Sequence, residues 1–323
     1  MSKIFLPARD YDLAATLDSG QVFRWVRSPD SPISWVGVIG MNYVRLTQIE
    51  RGICAETVAP QKNWDWLRAF LQTEIELETI LKTFPDDEPM NRAVAACRGL
   101  RILRQEPWEC LASFILSSTK QIVQIRQIIA LLCERFGEPL IRPSATFSPF
   151  KRGEGKTATP FNPATRACNF SLSSPNEERA GVRSDLFFSF PSPQKIAALS
   201  ENELRACKMG FRAPHLLAAA CQITDGKFDL EKIRKLDYAE AQHELMKLRG
   251  VGHKIADCVL LFAYGFDSAF PVDVWVERAL RQLYFPRRRI SDKRLKQFAA
   301  THFGPHAGYA QQYLFHYMRT KIH

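Results

Sequence analysis

The chain lacks the long apolar runs that mark membrane proteins. No stretch of eighteen or more uncharged apolar residues occurs in its 323 residues, so no membrane-spanning helix is predicted. The N-terminal segment MSKIFLPARDYD also carries charge too early for a secretory signal. We therefore expect a soluble, intracellular protein that has no membrane partner.

Closely spaced cysteines are absent as well. No two cysteines form a Cys-x-x-Cys pair and none follows Cys258, so the spacing needed for a zinc ribbon or an iron–sulfur cluster is missing. Several lie in apolar segments such as WECLASFIL and ALLCERF, which is typical of reduced core residues. The sequence predicts no structural metal and no cofactor. The eight cysteines are Cys54, Cys97, Cys110, Cys133, Cys168, Cys207, Cys221 and Cys258.

What the chain has in excess is positive charge. Its 44 lysines and arginines outnumber its 34 aspartates and glutamates, giving a formal net charge of +10. Such a charge favours an acidic partner, most often nucleic acid, although many basic proteins bind none. Hydrophobic residues make up 46% of the chain, which is enough to fill a sizeable core in two domains or in one elaborated domain.

Two hydrophobic periodicities divide the chain. Residues 20–57 contain short β-type runs, GQVFRWV, SWVGVIG, YVRLTQI and GICAETV, which predict an antiparallel meander. From Trp64 onward apolar residues recur three and four apart, as in KQIVQIRQIIALLCERFG, which predicts helices. The sequence therefore predicts an α+β fold, in which an N-terminal antiparallel β domain (residues 1–95) packs on an all-helical body (residues 96–323).

One segment of the helical body shows no hydrophobic periodicity. Residues 141–190 are rich in Ser, Thr, Pro, Arg and Asn, and we expect a mobile insertion there. Helical signals return at SPQKIAALSENELRAC, where Ser192 is suited to cap a helix.

A glycine-rich turn interrupts the helical pattern within residues 238–264. Gly250, Val251 and Gly252 separate one helix from the next, which begins at about His253, so the segment is read as a helix-hairpin-helix. Val251 can fill the gap between the two helices, and the amides at the start of the second helix suit a DNA phosphate. The alternative is a plain pair of helices with glycine caps.

Lys254 stands in the first turn of the second hairpin helix. The positive end of the helix dipole and the apolar neighbours disfavour its ammonium form, which favours a nucleophilic amine, although most such lysines are simply solvated. The segment FPVDVW then places Asp273 at a helix start, where it is predicted to be the N-cap. If the two helices pack together, the same carboxylate can stabilise a cationic sugar transition state and relay protons.

These motifs resemble a known enzyme family. Gly-Val-Gly-x-Lys followed by Pro-Val-Asp is similar to the helix-hairpin-helix glycosylases that carry a Gly/Pro-rich loop and an aspartate. The segments SGQVFRW, LRILRQEPWECLASFILSS, MGFRA and GPHAGYAQQYLF resemble, more narrowly, the 8-oxoguanine DNA glycosylases of the eukaryotic type. The resemblance covers about residues 10–140 and 190–316.

The resemblance implies a reaction and a partner. In that family the lysine that corresponds to Lys254 expels the damaged base and forms a Schiff base, which permits strand scission by β-elimination, and Asp273 matches the essential aspartate. The implied partner is double-stranded DNA containing oxidised guanine. We expect a monomer, in the nucleoid or cytoplasm if the chain is bacterial and in the nucleus if it is eukaryotic.

The resemblance also implies a pocket for the flipped base. Cys258, one turn after Lys254, would pack on one face of the base and Phe315 on the other, while Gln311 would read its Watson–Crick edge. The carbonyl of Gly20 would accept a hydrogen bond from the lesion's N7–H and oppose the lone pair of normal guanine. From the residues alone, Cys258 and Phe315 are equally well read as core positions and Gly20 as a turn glycine.

Contacts to the rest of the DNA are less completely matched. Phe211 corresponds to a wedge that is more often tyrosine, and Arg212 to an arginine that contacts the opposite base. Thr119 and Gln124 stand where the family has asparagine and a second arginine, with Lys120 between them as a further DNA-contact candidate. Trp275 stands at the position where that family has a histidine. We therefore expect a softened preference for cytosine opposite the lesion.

Two other functions remain open at this point. One is another helix-hairpin-helix glycosylase with a different base specificity, for instance for alkylated purines, although Lys254 argues against an enzyme without lyase activity. The second is a non-catalytic DNA-binding module, which would need only the hairpin and the basic charge and not Lys254 and Asp273 together.

Overall fold

The computed structural model describes residues 2–140, 187–286 and 288–321, and in it an N-terminal β-sheet precedes a helical body. The sheet has the strand order β1-β5-β4-β3-β2, and all neighbours are antiparallel. The predicted α+β class and the antiparallel meander are thereby confirmed. The strands are β1 (Ser2–Pro7), β2 (Val26–Ser28), β3 (Ser31–Ile39), β4 (Asn42–Ile49) and β5 (Gly52–Thr57).

Two details of the sheet differ from the prediction. The run GQVFRWV is wrong as a strand, because only Val26 of that run belongs to β2 and Gly20 has a left-handed backbone conformation with φ +80°. Strand β1 was not predicted. It lies at the edge of the sheet and buries only Leu6, so it carries no alternation of apolar and polar residues for a sequence pattern to detect.

The predicted helical segments form helices, and several of these helices begin at side-chain caps. Ser192 caps α7 by accepting from the backbone of Lys195, as predicted. Helix α1 was not predicted. The helices are α1 (Leu13–Asp18), α2 (Asp65–Leu71), α3 (Leu77–Leu81), α4 (Glu88–Cys97), α5 (Pro107–Ser117), α6 (Ile122–Phe136), α7 (Pro193–Ala197), α8 (Glu201–Arg205), α9 (Ala213–Thr224), α10 (Tyr238–Met246), α11 (His253–Val259), α12 (Val274–Tyr284), α13 (Asp292–His302) and α14 (Ala307–Lys321).

Two hydrophobic clusters form the core. The smaller one joins the sheet to α1 and α2, and the larger one fills the helical body. Helices α3 and α4 contribute Leu77, Ile80 and Met90 to the larger cluster, so they pack with the helical body although they lie within residues 1–95. Five of the seven described cysteines are buried and all seven are free thiols.

Residues 141–186 of the predicted insertion lie outside the described residues. Residues 187–190 belong to the described fold: β7 (Phe187–Phe188) pairs with β6 (Pro139–Leu140), and the backbone of Ser189 donates to the carbonyl of Glu138 at 2.8 Å. No helix in the described part of the chain is long and apolar enough to cross a membrane. Within residues 2–140, 187–286 and 288–321, no three His, Cys, Asp or Glu side chains are grouped as metal ligands.

Candidate active site

A cleft of about 380 Å³ opens where the loop after α1 meets the ends of α5, α6, α11, α12 and α14. It contains seven of the predicted catalytic, base-binding and DNA-binding residues, namely Gly20, Lys120, Lys254, Cys258, Asp273, Gln311 and Phe315. The other lining residues are Phe23, Phe114, Ser117, Gln121, Ile122, Val123, Ile125, Phe262, Pro271, Trp275, Gln312 and Arg319. Residues from distant parts of the sequence therefore converge on one cavity.

The predicted hairpin places Lys254 at this cleft. Val251 is buried, and Gly250 has φ +84°, with the ring of His215 so close that a β-carbon there would lie 2.5 Å from Nδ1. Gly252 and His253 are exposed at the start of α11. Because the turn closes tightly on Val251, the first turn of α11 points Lys254 inward, whereas His253 faces solvent.

The hairpin helices are joined by a buried polar group as well as by apolar contacts. The hydroxyl of Tyr238 in α10 donates to Oδ1 of Asp257 in α11 at 2.8 Å, and Gln242 donates to the same oxygen at 2.5 Å. Asp257 is buried, so its carboxylate depends on these donors. This connection fixes the rotation of α11, and with it the direction of Lys254.

The amine of Lys254 is held on three sides. Its Nζ donates to Oγ of Ser117 at 3.2 Å and lies 5.1 Å from the centre of the Phe114 ring. Cys258 lies one turn later on α11, close enough to Lys254 for the lysine to lower the pKa of the thiol. The amine therefore sits in the wall of the cleft, half-buried, rather than extending into solvent.

Asp273 caps α12, as predicted. Its Oδ1 accepts from the backbone of Val276 at 2.8 Å. Burial raises the pKa of Asp273, while the cap hydrogen bonds and the charges of Lys254 and Arg319 oppose that rise. The structure thus brings the carboxyl group that caps α12 into the field of the Lys254 amine.

Cys258 is buried and its thiol is not a nucleophile. Burial raises the pKa of Cys258 to about 12, although Lys254 lowers it in part. The thiol therefore stays protonated and neutral near pH 7. It offers the cleft a small polarisable surface instead of a second reactive group.

The opposite wall is built by α14. Gln311 is 4% exposed, and within the described part of the chain no donor reaches its Oε1. The next residue, Gln312, donates to the carbonyl of Ser19 at 3.0 Å and so ties α14 to the loop that carries Gly20. A buried acceptor without a protein donor is costly, and in Gln311 this acceptor belongs to a side chain that lines the cleft.

Gly20 lies directly against Phe315. A β-carbon at Gly20 would come within 2.8 Å of Cδ1 of Ile122 and 3.3 Å of Cε1 of Phe315, in addition to the strain of φ +80°. Arg319 covers the Phe315 ring, with its Cζ 5.3 Å from the ring centre. Because Gly20 has no side chain, this end of the cleft stays open. The backbone of Gly20 is accessible to a group that packs on Phe315.

The residues predicted to contact the rest of a duplex lie outside the cleft, apart from Lys120. Phe211 is 53% exposed on a 3-10 turn and projects from the surface. Arg212 is 2% exposed, and its guanidinium donates to the carbonyls of Ser118 and Met209 and to the hydroxyl of Thr119. Thr119 has φ +56°, a conformation that asparagine adopts more readily than a β-branched residue.

Gln124 takes part in a helix cap. Gln121 and Gln124 form a capping box at the start of α6, in which the backbone of Gln121 donates to Oε1 of Gln124 at 3.3 Å. The structure therefore holds Arg212 firmly within the protein and engages Gln124 locally. It does not bring either side chain into the cleft.

Several cleft residues were not singled out from the sequence. Ser117 and Phe114 lie in the segment WECLASFILSS, but the periodicity of that segment is that of an ordinary buried helix. Arg319 lies four residues after Phe315 on the same face of α14, a spacing that would have indicated it once Phe315 was assigned. For Ser117 the sequence offers no such signal, since it is defined by a contact across 137 positions.

Comparison with known proteins shows which family the chain belongs to. Residues 3–111 match the model of the 8-oxoguanine DNA glycosylase N-terminal domain, and residues 112–304 match that of the HhH-GPD superfamily of base excision DNA repair proteins. A probable N-glycosylase/DNA lyase of Methanothermobacter thermautotrophicus is 30% identical, covering 97% of this chain and 95% of its own length. The N-glycosylase/DNA lyase OGG1 of Arabidopsis thaliana is 27% identical over 94% of this chain and 76% of its own.

A solved structure extends the likeness to the whole fold. The Clostridium acetobutylicum 8-oxoguanine glycosylase/lyase, bound to duplex DNA with cytosine opposite 8-oxoguanine, superposes with a TM-score of 0.79 at 27% identity and covers 99% of both chains. The resemblance drawn from the sequence motifs is confirmed. The chain belongs to the HhH-GPD superfamily of base excision DNA repair proteins and carries the N-terminal domain of 8-oxoguanine DNA glycosylases.

Proposed function

We propose that this protein is a bifunctional DNA glycosylase and lyase that excises 8-oxoguanine from duplex DNA. One observation carries the proposal: the amine of Lys254, the carboxyl group of Asp273 and the unpartnered amide oxygen of Gln311 line a single cleft of about 380 Å³. A cavity of that size is in the range of small-ligand pockets and has room for one flipped base.

Lys254 is the proposed nucleophile. Its neutral amine attacks C1′ of the flipped nucleotide, the N–C1′ bond forms as the bond from C1′ to the base breaks, and the departing base takes up a proton. Positive charge develops on the sugar in this step. The carboxylate of Asp273, already in the field of Lys254, stabilises that charge.

Strand cleavage follows from the covalent intermediate. Opening of the sugar ring converts the amine adduct to a protonated Schiff base on Lys254, which acidifies the proton on C2′. Removal of that proton and departure of the 3′-phosphate complete the β-elimination, and water then releases the amine. The ring of Phe114 faces Nζ at 5.1 Å, where it favours the positive charge of the Schiff base.

Recognition of the base uses the remaining cleft residues. Phe315 and the neutral thiol of Cys258 are proposed to pack on its two faces, and Gln311 supplies an acceptor to its Watson–Crick edge. The backbone carbonyl of Gly20 is proposed to accept from N7–H of 8-oxoguanine. Guanine has a lone pair at N7 and would be repelled at the same place.

The rest of the duplex is proposed to lie across the hairpin and the exposed wedge. The amides at the start of α11, after Gly252, are proposed to meet a phosphate, and Lys120 and His253 lie at half-exposed and exposed positions. Phe211 is proposed to fill the gap left by the flipped base. We propose a monomer that acts wherever its host keeps its DNA, in the nucleoid or in the nucleus.

Two competing functions make different predictions for one experiment. The protein is mixed with duplexes containing 8-oxoguanine or an alkylated purine, and borohydride is added to trap a Schiff base. Covalent capture on 8-oxoguanine supports the proposal, and capture on the alkylated purine alone supports the other glycosylase. Tight binding of every duplex with no capture and no base release would support a non-catalytic DNA-binding module.

Affinity for undamaged duplex is expected to fall steeply with salt. The net charge of +10 implies that lysines and arginines neutralise DNA phosphates and release counterions. With about six phosphate contacts, the dissociation constant should rise on the order of a thousandfold between roughly 50 and 200 mM salt. Fluorescence anisotropy measures it, and a flat response would refute binding through the basic surface.

Selectivity for the opposite base is expected to be weaker than two arginines would give. Gln124→Arg should raise the preference for cytosine opposite the lesion by about tenfold, since one good bidentate contact is worth about 1–3 kcal/mol. Single-turnover excision opposite each of the four bases measures it. Gln127→Arg, which adds the same charge farther along α6, is the control. If the wild type already prefers cytosine and Gln124→Arg does not sharpen that preference, the contact belongs to Lys120, Gln121 or Arg126.

A further inference from the structure

We propose that Ser117 is a positioning residue that orients the amine of Lys254 for attack, an inference that rests on the proposed function. Ser117 is the last residue of α5, buried at the cleft wall, and its Oγ lies 3.2 Å from Nζ of Lys254. The two residues are brought together only by the packing of α5 on α11. No motif of the sequence contains both.

The direction of this hydrogen bond follows from the second contact of Ser117. Its hydroxyl donates to the carbonyl of Phe114 at 2.8 Å. A serine hydroxyl has one proton and two acceptor sites, so once its proton is committed to Phe114 it can only accept from Lys254. The amine must therefore direct an N–H toward Ser117.

This polarity leaves the nucleophilic lone pair free. A neutral amine has two N–H groups and one lone pair, and a hydroxyl that donated to it would mask the lone pair. Because the Phe114 carbonyl takes the hydroxyl proton, Ser117 anchors the amine without masking it. The Phe114 ring at 5.1 Å and the thiol of Cys258 lie on two further sides of the amine, which leaves the cleft as the open direction for the lone pair, where C1′ is proposed to lie.

The size of the effect can be estimated from the geometry that nucleophilic attack requires. Displacing a reacting group by about 1 Å costs on the order of a hundredfold in rate. Ser117→Ala leaves Lys254 chemically intact but removes the acceptor that aims it. We expect the single-turnover rate of 8-oxoguanine excision to fall between about tenfold and a hundredfold, with duplex affinity unchanged.

The neighbouring serine provides a matched control. Ser118 makes the same kind of contact, donating from Oγ to the carbonyl of Ile115 at 3.3 Å, and the described hydrogen bond of Lys254 goes to Ser117 instead. Ser118 holds Arg212 only through its backbone carbonyl, which alanine retains. Ser118→Ala removes an equivalent local hydrogen bond from the same helix end. Its excision rate should stay within about twofold of the wild type.

The experiment measures single-turnover excision, the rate of borohydride trapping, duplex affinity and melting temperature for the wild type, Ser117→Ala, Ser117→Thr, Ser117→Cys and Ser118→Ala. Slow trapping in Ser117→Ala with unchanged affinity, and recovery in Ser117→Thr, would support the proposal. If the threonine variant melts early, Ser117→Cys replaces it, since its sulfur is a weak acceptor and should recover part of the rate.

Two outcomes would overturn the inference. In one, Ser117→Ala traps as fast as Ser118→Ala. In the other, every replacement is equally slow at an unchanged melting temperature, so the hydroxyl is not responsible. If the proposed function itself is wrong, the wild type forms no trapped complex through Lys254. That result differs from both outcomes above, in which the wild type is trapped.

Discussion

Replacing Lys254 by glutamine is expected to abolish base release and borohydride trapping. Glutamine keeps much of the length and polarity of the side chain but has no nucleophilic amine, so no covalent intermediate can form. We expect single-turnover excision of 8-oxoguanine to fall by at least about a thousandfold, the scale seen when a catalytic nucleophile is removed. Duplex affinity should stay within about twofold.

The control for this variant is another lysine of the same cleft. Lys120 lines the cavity from the loop between α5 and α6, and its amine is not among the groups described as contacting the Lys254 amine. Lys120→Gln removes the same charge and should leave trapping near the wild-type level while weakening DNA binding modestly. A trapped complex in Lys254→Gln would mean that a different amine attacks C1′, and Lys120 would be the first to test.

The parts of the site that the sequence predicted are those determined by local chain geometry. Gly250, Val251 and Gly252 define the hairpin by their own backbone and burial requirements, and Asp273 caps α12 because aspartate is suited to that position. These requirements act over a few residues. A pattern in the sequence can therefore express them without knowledge of the packing.

The parts that were missed depend on contacts between distant segments. Ser117 acquires its importance only because α5 packs on α11, and Gln312 because α14 meets the carbonyl of Ser19. Strand β1 is held by its pairing with β5, fifty positions away, and has almost no buried face of its own. Long-range pairings of this kind leave no periodic signal in one sequence.

The resemblance to a family contributed a third kind of information. Nothing local distinguishes Phe315 or Cys258 from core residues, and the structure places both at the cleft. The resemblance could not anticipate how Arg212 and Gln124 are engaged. Arg212 is held by Ser118, Met209 and Thr119, and Gln124 belongs to a capping box, so their proposed roles toward the opposite base stay predictions.

A substitution at Asp273 can separate its role as a helix cap from its role in the reaction, because asparagine caps helices as well as aspartate does. Asp273→Asn keeps an oxygen for the backbone of Val276 but loses the charge that stabilises the cationic sugar. We expect excision to fall by roughly a hundredfold to ten-thousandfold. Asp273→Ala should lose the same activity and, in addition, about 1 kcal/mol of stability with the cap.

The raised pKa of Asp273 determines the direction of two further effects, one on thermal stability and one on the pH dependence of the rate. Burial disfavours the ionised carboxylate, so at neutral pH the negative charge of Asp273, unlike its cap hydrogen bond, does not stabilise the fold. Asp273→Asn keeps the cap and should melt at the wild-type temperature or above. Catalysis needs the ionised form, so the wild-type rate should fall on the acid side at a pH higher than an ordinary aspartate would give. Single-turnover rates measured across pH should show this limb in the wild type and not in Asp273→Asn. Wild-type activity in Asp273→Asn at neutral pH would leave Asp273 with its capping role alone.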